Sequence, residues 1–199
     1  MALFVSRLST AAEWPPPNIG IMFKGGRSMP EIPKIDNCCE KESFAFFGLA
    51  AYYAQVLEEA ALNLAVVLRL PEVNLISQEL FLDLYDSLGR RTFGQLLKVA
   101  KSDLSLSDEN ADFLGTTLDL RNMLIHRYFR ERAEDFISEV GRREMKKELQ
   151  TILSEFKKAD EILTSLYLPL WEKYGVTEEL FQSEFAQMVE AAEHRDRGT

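Results

Sequence analysis

The chain has 199 residues, 46% of them hydrophobic and 28% charged, with a formal net charge of −9. This length supports one domain whose core needs neither metal nor disulfide, and the ordinary composition excludes collagenous, disulfide-framework and low-complexity classes. A field of that sign does not draw in nucleic acid at long range, so any RNA or DNA chemistry has to come from a local basic patch.

The first forty residues are rich in chain breakers: Pro15-Pro16-Pro17, Gly25-Gly26, Pro30 and Pro33. They read as an extended or partly disordered N-terminal arm, 1–40, dispensable for folding. The arm lacks the basic and long apolar regions of a secretory signal. Its two cysteines, Cys38 and Cys39, are the chain's whole complement. Neighbours in sequence seldom form an unstrained disulfide, and no zinc set is available, which fits a reducing, cytoplasmic setting. No apolar run approaches the roughly 18–20 residues of a membrane span.

A helical bundle of five or six helices in all is expected, its main body over 41–174, with no β-alternation of useful length. The first helix runs from about Glu40 to Leu70 and stops at Pro71. Its polar positions Gln55, Glu59 and Asn63 recur every four residues as one stripe. The rest is so apolar that neighbours must enclose it on most sides. A second helix covers Ser77–Leu88. A third begins at Thr92, where Thr92-Phe93-Gly94-Gln95 matches a capping box, and ends near Lys101. A fourth starts near Ser107, with Asp108 and Glu109 in its first turn, and continues to about Arg130. A fifth runs from Glu139 to Tyr174 with a kink or break near Pro169, and Gly175 suits its end. Residues 175–199 form a last amphipathic helix capped by Thr177, to about Glu193, and a tail.

The fourth helix carries the chemistry-bearing residues. At about 100° per residue, Leu114, Leu118, Ile125, Phe129 and Tyr128 share one face. Arg121 falls in the middle of it, and Asn122 and His126 lie together on its edge. A buried, unpaired arginine costs several kcal/mol. Arg121 is therefore either salt-bridged, with Glu58 or Glu59 as candidate partners, or part of a site. His126 is either a half-buried histidine at a helix edge or a catalytic one.

Arg121-Asn122-Met123-Leu124-Ile125-His126 resembles the Arg-x4–6-His motif of the HEPN superfamily. With Tyr128 it is similar to the Arg-x4-His-x-Tyr form of HEPN toxins paired with nucleotidyltransferase antitoxins. The resemblance covers roughly Ser43–Leu166 and implies an all-α, HEPN-like bundle. For function it implies a metal-independent endoribonuclease, needing no cofactor, that cleaves RNA by attack of the 2′-OH. In that implication His126 is general acid or base, Arg121 stabilises the phosphorane-like charge, and Asn122 orients His126 or the phosphate. Tyr128 would be a modification site accepting a nucleotide, and Arg127, Arg130 and Arg132 would contact RNA, with Arg90 and Arg91 further off. Arg121 and His126 are about 140° apart around a regular helix, so one straight helix cannot aim both at one phosphate. HEPN proteins dimerise to line one cleft, and a homodimer is accordingly expected. The alternative is a catalytically inactive HEPN-like dimeric interaction or regulatory module, in which Arg121 is enclosed and satisfied by an acid. As a ribonuclease the chain would be a toxin or defence component.

Overall fold

A mostly apolar stretch, interrupted between Phe44 and Leu68 only by Gln55, Glu58, Glu59 and Asn63, and entered through Glu40 and Glu42 and left through Arg69, forms the first helix, α1 (Glu40–Arg69). The acids at its start and the base at its end complement the helix dipole. The computed structural model describes residues 30–36, 39–72, 75–104 and 106–197. In it α1 is followed by α2 (Gln78–Gly89), α3 (Phe93–Asp103), α4 (Asp108–Glu131), α5 (Ala133–Ile137), α6 (Glu139–Glu172) and α7 (Glu178–Arg197). The architecture is an all-α helical bundle, without strands among the described residues. None of these helices is long and apolar enough to cross a membrane.

The helix starts follow their local chemistry. The Ser77 side chain accepts from the Leu80 N–H at 3.1 Å and the Ser107 side chain from the Asn110 N–H at 3.2 Å. Thr92 and Gln95 form a reciprocal capping box: the Thr92 N–H donates to Gln95 Oε1 at 2.9 Å, and the Gln95 N–H donates to Thr92 Oγ1 at 3.4 Å. Gly175, at φ 77°, takes the left-handed conformation after α6. Thr177 Oγ1 accepts from the Leu180 N–H at 3.4 Å at the start of α7.

Three expectations are corrected. Seven helices, not five or six, occur among the described residues. The added one, α5, has five residues, too few for periodicity to reveal. Pro169 does not break α6, which runs on to Glu172 with the proline inside it. The last helix reaches Arg197 rather than Glu193. Most of the expected arm, residues 1–29 together with 37 and 38, lies outside the described residues. Its end, 30–36, has no regular secondary structure but is engaged: Gln150 Nε2 donates to the Pro33 carbonyl at 2.8 Å, and Ile32 and Ile35 are half-buried.

The chain divides into two compact units, with boundaries inside α1 and α6. Among the described residues, one unit is built from 59–100 and 163–197. Every residue from Ala60 to Val67 is 7% exposed or less, and Phe81, Leu88, Phe93, Leu96, Tyr167 and Trp171 are buried in the same unit. The polar stripe on α1 turns inward here. Glu59 accepts a hydrogen bond from the Tyr85 hydroxyl at 2.8 Å, while Asn63 is 1% exposed and neither atom of its amide has a partner.

The other unit comprises 31–58 and 101–162. Its core joins Phe46, Tyr53 and Leu57 of α1 to Leu114, Leu124 and Tyr128 of α4 and to Met145, Leu149, Leu153 and Phe156 of α6. Lys146, wholly buried, is paired at 2.6 Å with Glu42, which ties the start of α1 to α6. The α5–α6 connection depends on Gly141. A Cβ there would lie 2.2 Å from the Asp135 carbonyl oxygen, whereas one on Gly115 meets nothing within 4 Å.

These two glycines give opposite expectations. Gly115→Ala adds helix propensity at no steric cost and should stabilise the protein by about 0.5–1 kcal/mol. Gly141→Ala collides with backbone and should destabilise it by roughly 1–3 kcal/mol despite the same gain in propensity. Urea unfolding of the two variants side by side checks this; equal shifts would mean that α5 yields freely.

Candidate functional site

The buried positions of α4 are Leu114, Thr117, Leu124 and Tyr128. On a helical wheel their centre lies about 45° to one side of Leu114, so the helix is turned relative to the expected face. Ile125 is 38% exposed rather than buried, and Leu118 and Phe129 are half-buried. Thr117 can take an interior place because its hydroxyl donates to the Phe113 carbonyl at 2.9 Å, leaving only its methyl to be packed. The turn leaves Arg121 within the inward arc. It carries His126 about 165° from the centre of that arc.

Arg121 is engaged on two of its nitrogens. Its Nη2 donates to Glu58 Oε1 in an ion pair, and its Nη1 donates to Asn122 Oδ1 at 3.1 Å. Its Nε is buried without a hydrogen-bond partner. The two side chains are 20% and 35% exposed, a half-buried pair. Desolvation lowers the Arg121 pKa from its ordinary value. Of the two candidate partners on α1, Glu58 is the one used; Glu59 is occupied by Tyr85.

Asn122 therefore presents its carbonyl oxygen to Arg121, not to His126. His126 is exposed. The three motif residues thus divide: Arg121 and Asn122 are joined on the half-buried side, and His126 stands on the solvent side.

The basic residues proposed to hold RNA are also divided. Arg132 makes a two-pronged pair with Glu148, Nε to Oε2 at 2.8 Å and Nη2 to Oε1 at 2.5 Å. Hydrogen bonding to Glu148 raises the Arg132 pKa above its ordinary value despite some desolvation. Arg127 pairs with Glu131 at 3.3 Å on the exposed surface. Arg130 is exposed, as are Arg90 and Arg91.

Tyr128 is 1% exposed and its hydroxyl donates to the Met145 carbonyl at 2.9 Å. Burial, followed by the nearby Glu148 charge, raises its pKa far above the ordinary phenol value. An enclosed phenol engaged in this way is not offered to a nucleotidyl donor, so the modification-site expectation is corrected. Tyr128 is a core residue fastening α4 to α6.

Among the described residues no group of three or more His, Cys, Asp or Glu side chains is placed to hold a metal ion. Sequence reasoning missed two acids that define the site's electrostatics. Glu131 had a readable signal, its i,i+4 spacing from Arg127. Glu148, sixteen residues beyond Arg132, had none. Comparison of the chain with family models, with curated proteins and with solved structures finds no match.

Two predictions follow from this geometry. Glu58→Ala leaves a half-buried guanidinium without its acid and should cost roughly 2–3 kcal/mol, somewhat below a fully buried pair, whereas His126→Ala should change stability by less than about 0.5 kcal/mol. Chemical denaturation of both variants tests the contrast. Tyr128 supplies a pH dependence. Its folded pKa is raised, so its contribution to stability is whole below the unfolded phenol value of 10.0 and declines as pH rises beyond that value. Unfolding free energies measured from pH 8 to 11 should fall with a shallower slope in Tyr128→Phe than in the wild type; identical slopes would contradict the burial argument.

Proposed function

We propose that this chain is a HEPN-like helical interaction or regulatory module without ribonuclease activity, acting through assembly with protein rather than through chemistry on RNA. One observation carries the reading: the Arg121 charge is already engaged by Glu58, with Asn122 taking a second donor. A guanidinium neutralised in the ground state has to break that pair before it can stabilise a developing phosphorane, so it contributes little differential binding of the transition state. Surrounding charge supports the same reading. Of the three arginines nearest the motif on the C-terminal side, Arg127 and Arg132 are paired with acids, and the chain's net charge is −9. A homodimer and a cytoplasmic setting belong to this proposal, the latter resting on the two adjacent cysteines.

A second reading has its own observation: His126 is exposed, one turn from Asn122, where an imidazole could serve as acid or base. In this reading the chain is a metal-independent endoribonuclease. His126 from one protomer works with Arg121 from another on a single RNA phosphate, and the partner is a nucleotidyltransferase-type antitoxin.

Total RNA incubated with the purified protein in EDTA separates the two. Under the proposal, cleavage by the wild type does not exceed that by His126→Ala. Metal-free cleavage that drops about 10²–10⁴-fold in His126→Ala would instead establish the nuclease reading. Glu58→Gln, which removes the neutralising charge while keeping an acceptor for the Arg121 N–H, should then raise the rate.

A further inference from the structure

Resting on the reading that the chain works by assembly with protein, we infer that residues 31–36 are a releasable strap, occupying in cis a seat on α1 and α6 that takes an extended segment of a partner protein. The strap and both sides of its seat belong to the unit of residues 31–58 and 101–162.

The seat reads main chain. Gln150 Nε2 donates to the Pro33 carbonyl at 2.8 Å, and the Asp36 N–H donates to Glu42 Oε1 at 3.2 Å. One side chain from each helix therefore holds a carbonyl and an N–H three residues apart. Helices and sheets satisfy such groups with other main chain. Here side chains of packed helices do so, a way of holding an extended peptide by its backbone. Ile32 and Ile35 are half-buried, while Glu31, Pro33, Lys34 and Asp36 are exposed. The strap has no regular secondary structure, and Pro33 biases Ile32 toward extended backbone.

The seat is fixed more firmly than its occupant. Lys146 is wholly buried, and its ammonium lies 2.6 Å from Glu42 Oε2. Moving Glu42 away would leave a buried charge alone, so the acceptor stays in place when the strap leaves. Gln150 follows Lys146 by about one turn of α6, on a stretch anchored by the core residues Met145, Leu149 and Leu153. A seat organised in advance binds without being reshaped. The strap, by contrast, is held by these two hydrogen bonds and two half-buried side chains. Elements with so few buried contacts open locally, without unfolding of the core. What replaces the strap has to offer the same groups: two aliphatic side chains three positions apart, a proline after the first, and a free main-chain N–H after the second.

The test uses the full chain, with tryptic cleavage of the Lys34–Ile35 bond as the readout, because a protease needs this segment out of its seat. In native buffer the bond should be cut at urea concentrations that leave helicity intact. Gln150→Ala should speed the cut by about 2–10-fold, the worth of one hydrogen bond, with the melting temperature unchanged. Gln150→Glu, of the same shape but without the donor, should do likewise and serves if the alanine variant misfolds. The competitor is a synthetic peptide with the sequence of residues 30–36, its lysine acetylated so that trypsin leaves it whole. At roughly millimolar concentration, comparable to that of a tethered segment, it should speed the cut of the chain at least about 3-fold. The same peptide carrying Ile32→Asp and Ile35→Asp should have no effect. Cleavage that appears only as helicity is lost overturns the inference. So does a rate indifferent to both Gln150 substitutions. A strap that opens but is not displaced by the peptide also overturns it, since the seat then takes only the chain's own residues. None of these outcomes depends on whether RNA is cut, so the inference and the assignment as a non-catalytic module can fail separately.

Discussion

Arg121 cannot be placed in the inward arc of α4 unless something neutralises it, and that requirement sets the register of the unit of residues 31–58 and 101–162. The cost of leaving a guanidinium half-buried and alone is comparable to what a large apolar side chain gains by burial. Glu58, on the enclosed helix α1, meets it. With that pair made, the rotation of α4 is fixed: Leu124 and Tyr128 go inward, Ile125 is left partly in solvent, and His126 faces out. The same rotation lets the Tyr128 hydroxyl reach the Met145 carbonyl and leaves Arg132 where Glu148 can clasp it.

A polar constellation on an apolar helix can therefore be organised by two demands that look alike in sequence. Catalysis wants charge exposed to a substrate and unspent in the ground state; packing wants charge spent before folding ends. Arg121 satisfies the second demand, and His126, alone of the three, meets the exposure that the first requires. The ion pairs around them follow the same pattern. Lys146–Glu42, Arg121–Glu58 and Arg132–Glu148 all join residues distant in sequence, and each ties α6 or α4 to its neighbour. Such pairs specify geometry more than they add net stability, because desolvation offsets much of the Coulomb gain.

Among the described residues the two most exposed large apolar side chains, Ile137 and Val140, flank the junction of the short helix α5 with α6. Gly141 allows α5 to lie so close on α6 that a methyl group would not fit, and this close approach holds Phe136 against Phe129 and turns Ile137 outward. Structure that excludes a side chain at one position stands beside two others, Ile137 and Val140, that are left to solvent.

The sequence by itself determined the helical class, the order of the main helices and most of their ends, because these rest on local physics. Ser77, Thr92–Gln95, Ser107, Gly175 and Thr177 act within four residues of themselves, and the apolarity of α1 demands enclosure whatever its neighbours are. It also narrowed the partner of Arg121 to Glu58 or Glu59. Only the tertiary structure could choose between those adjacent acids, because the choice depends on which face of α1 meets α4, and Tyr85 competes for one of them. The rotation of α4, the burial of Tyr128 and the exposure of Ile125 were decided in the same way. Thr117, polar by composition, satisfies its hydroxyl on its own helix and enters the core, which shifts the buried arc by a fraction of a turn. A periodicity that treats threonine as polar cannot see that shift, yet it carries His126 from the edge of the face to the solvent while leaving Arg121 inside.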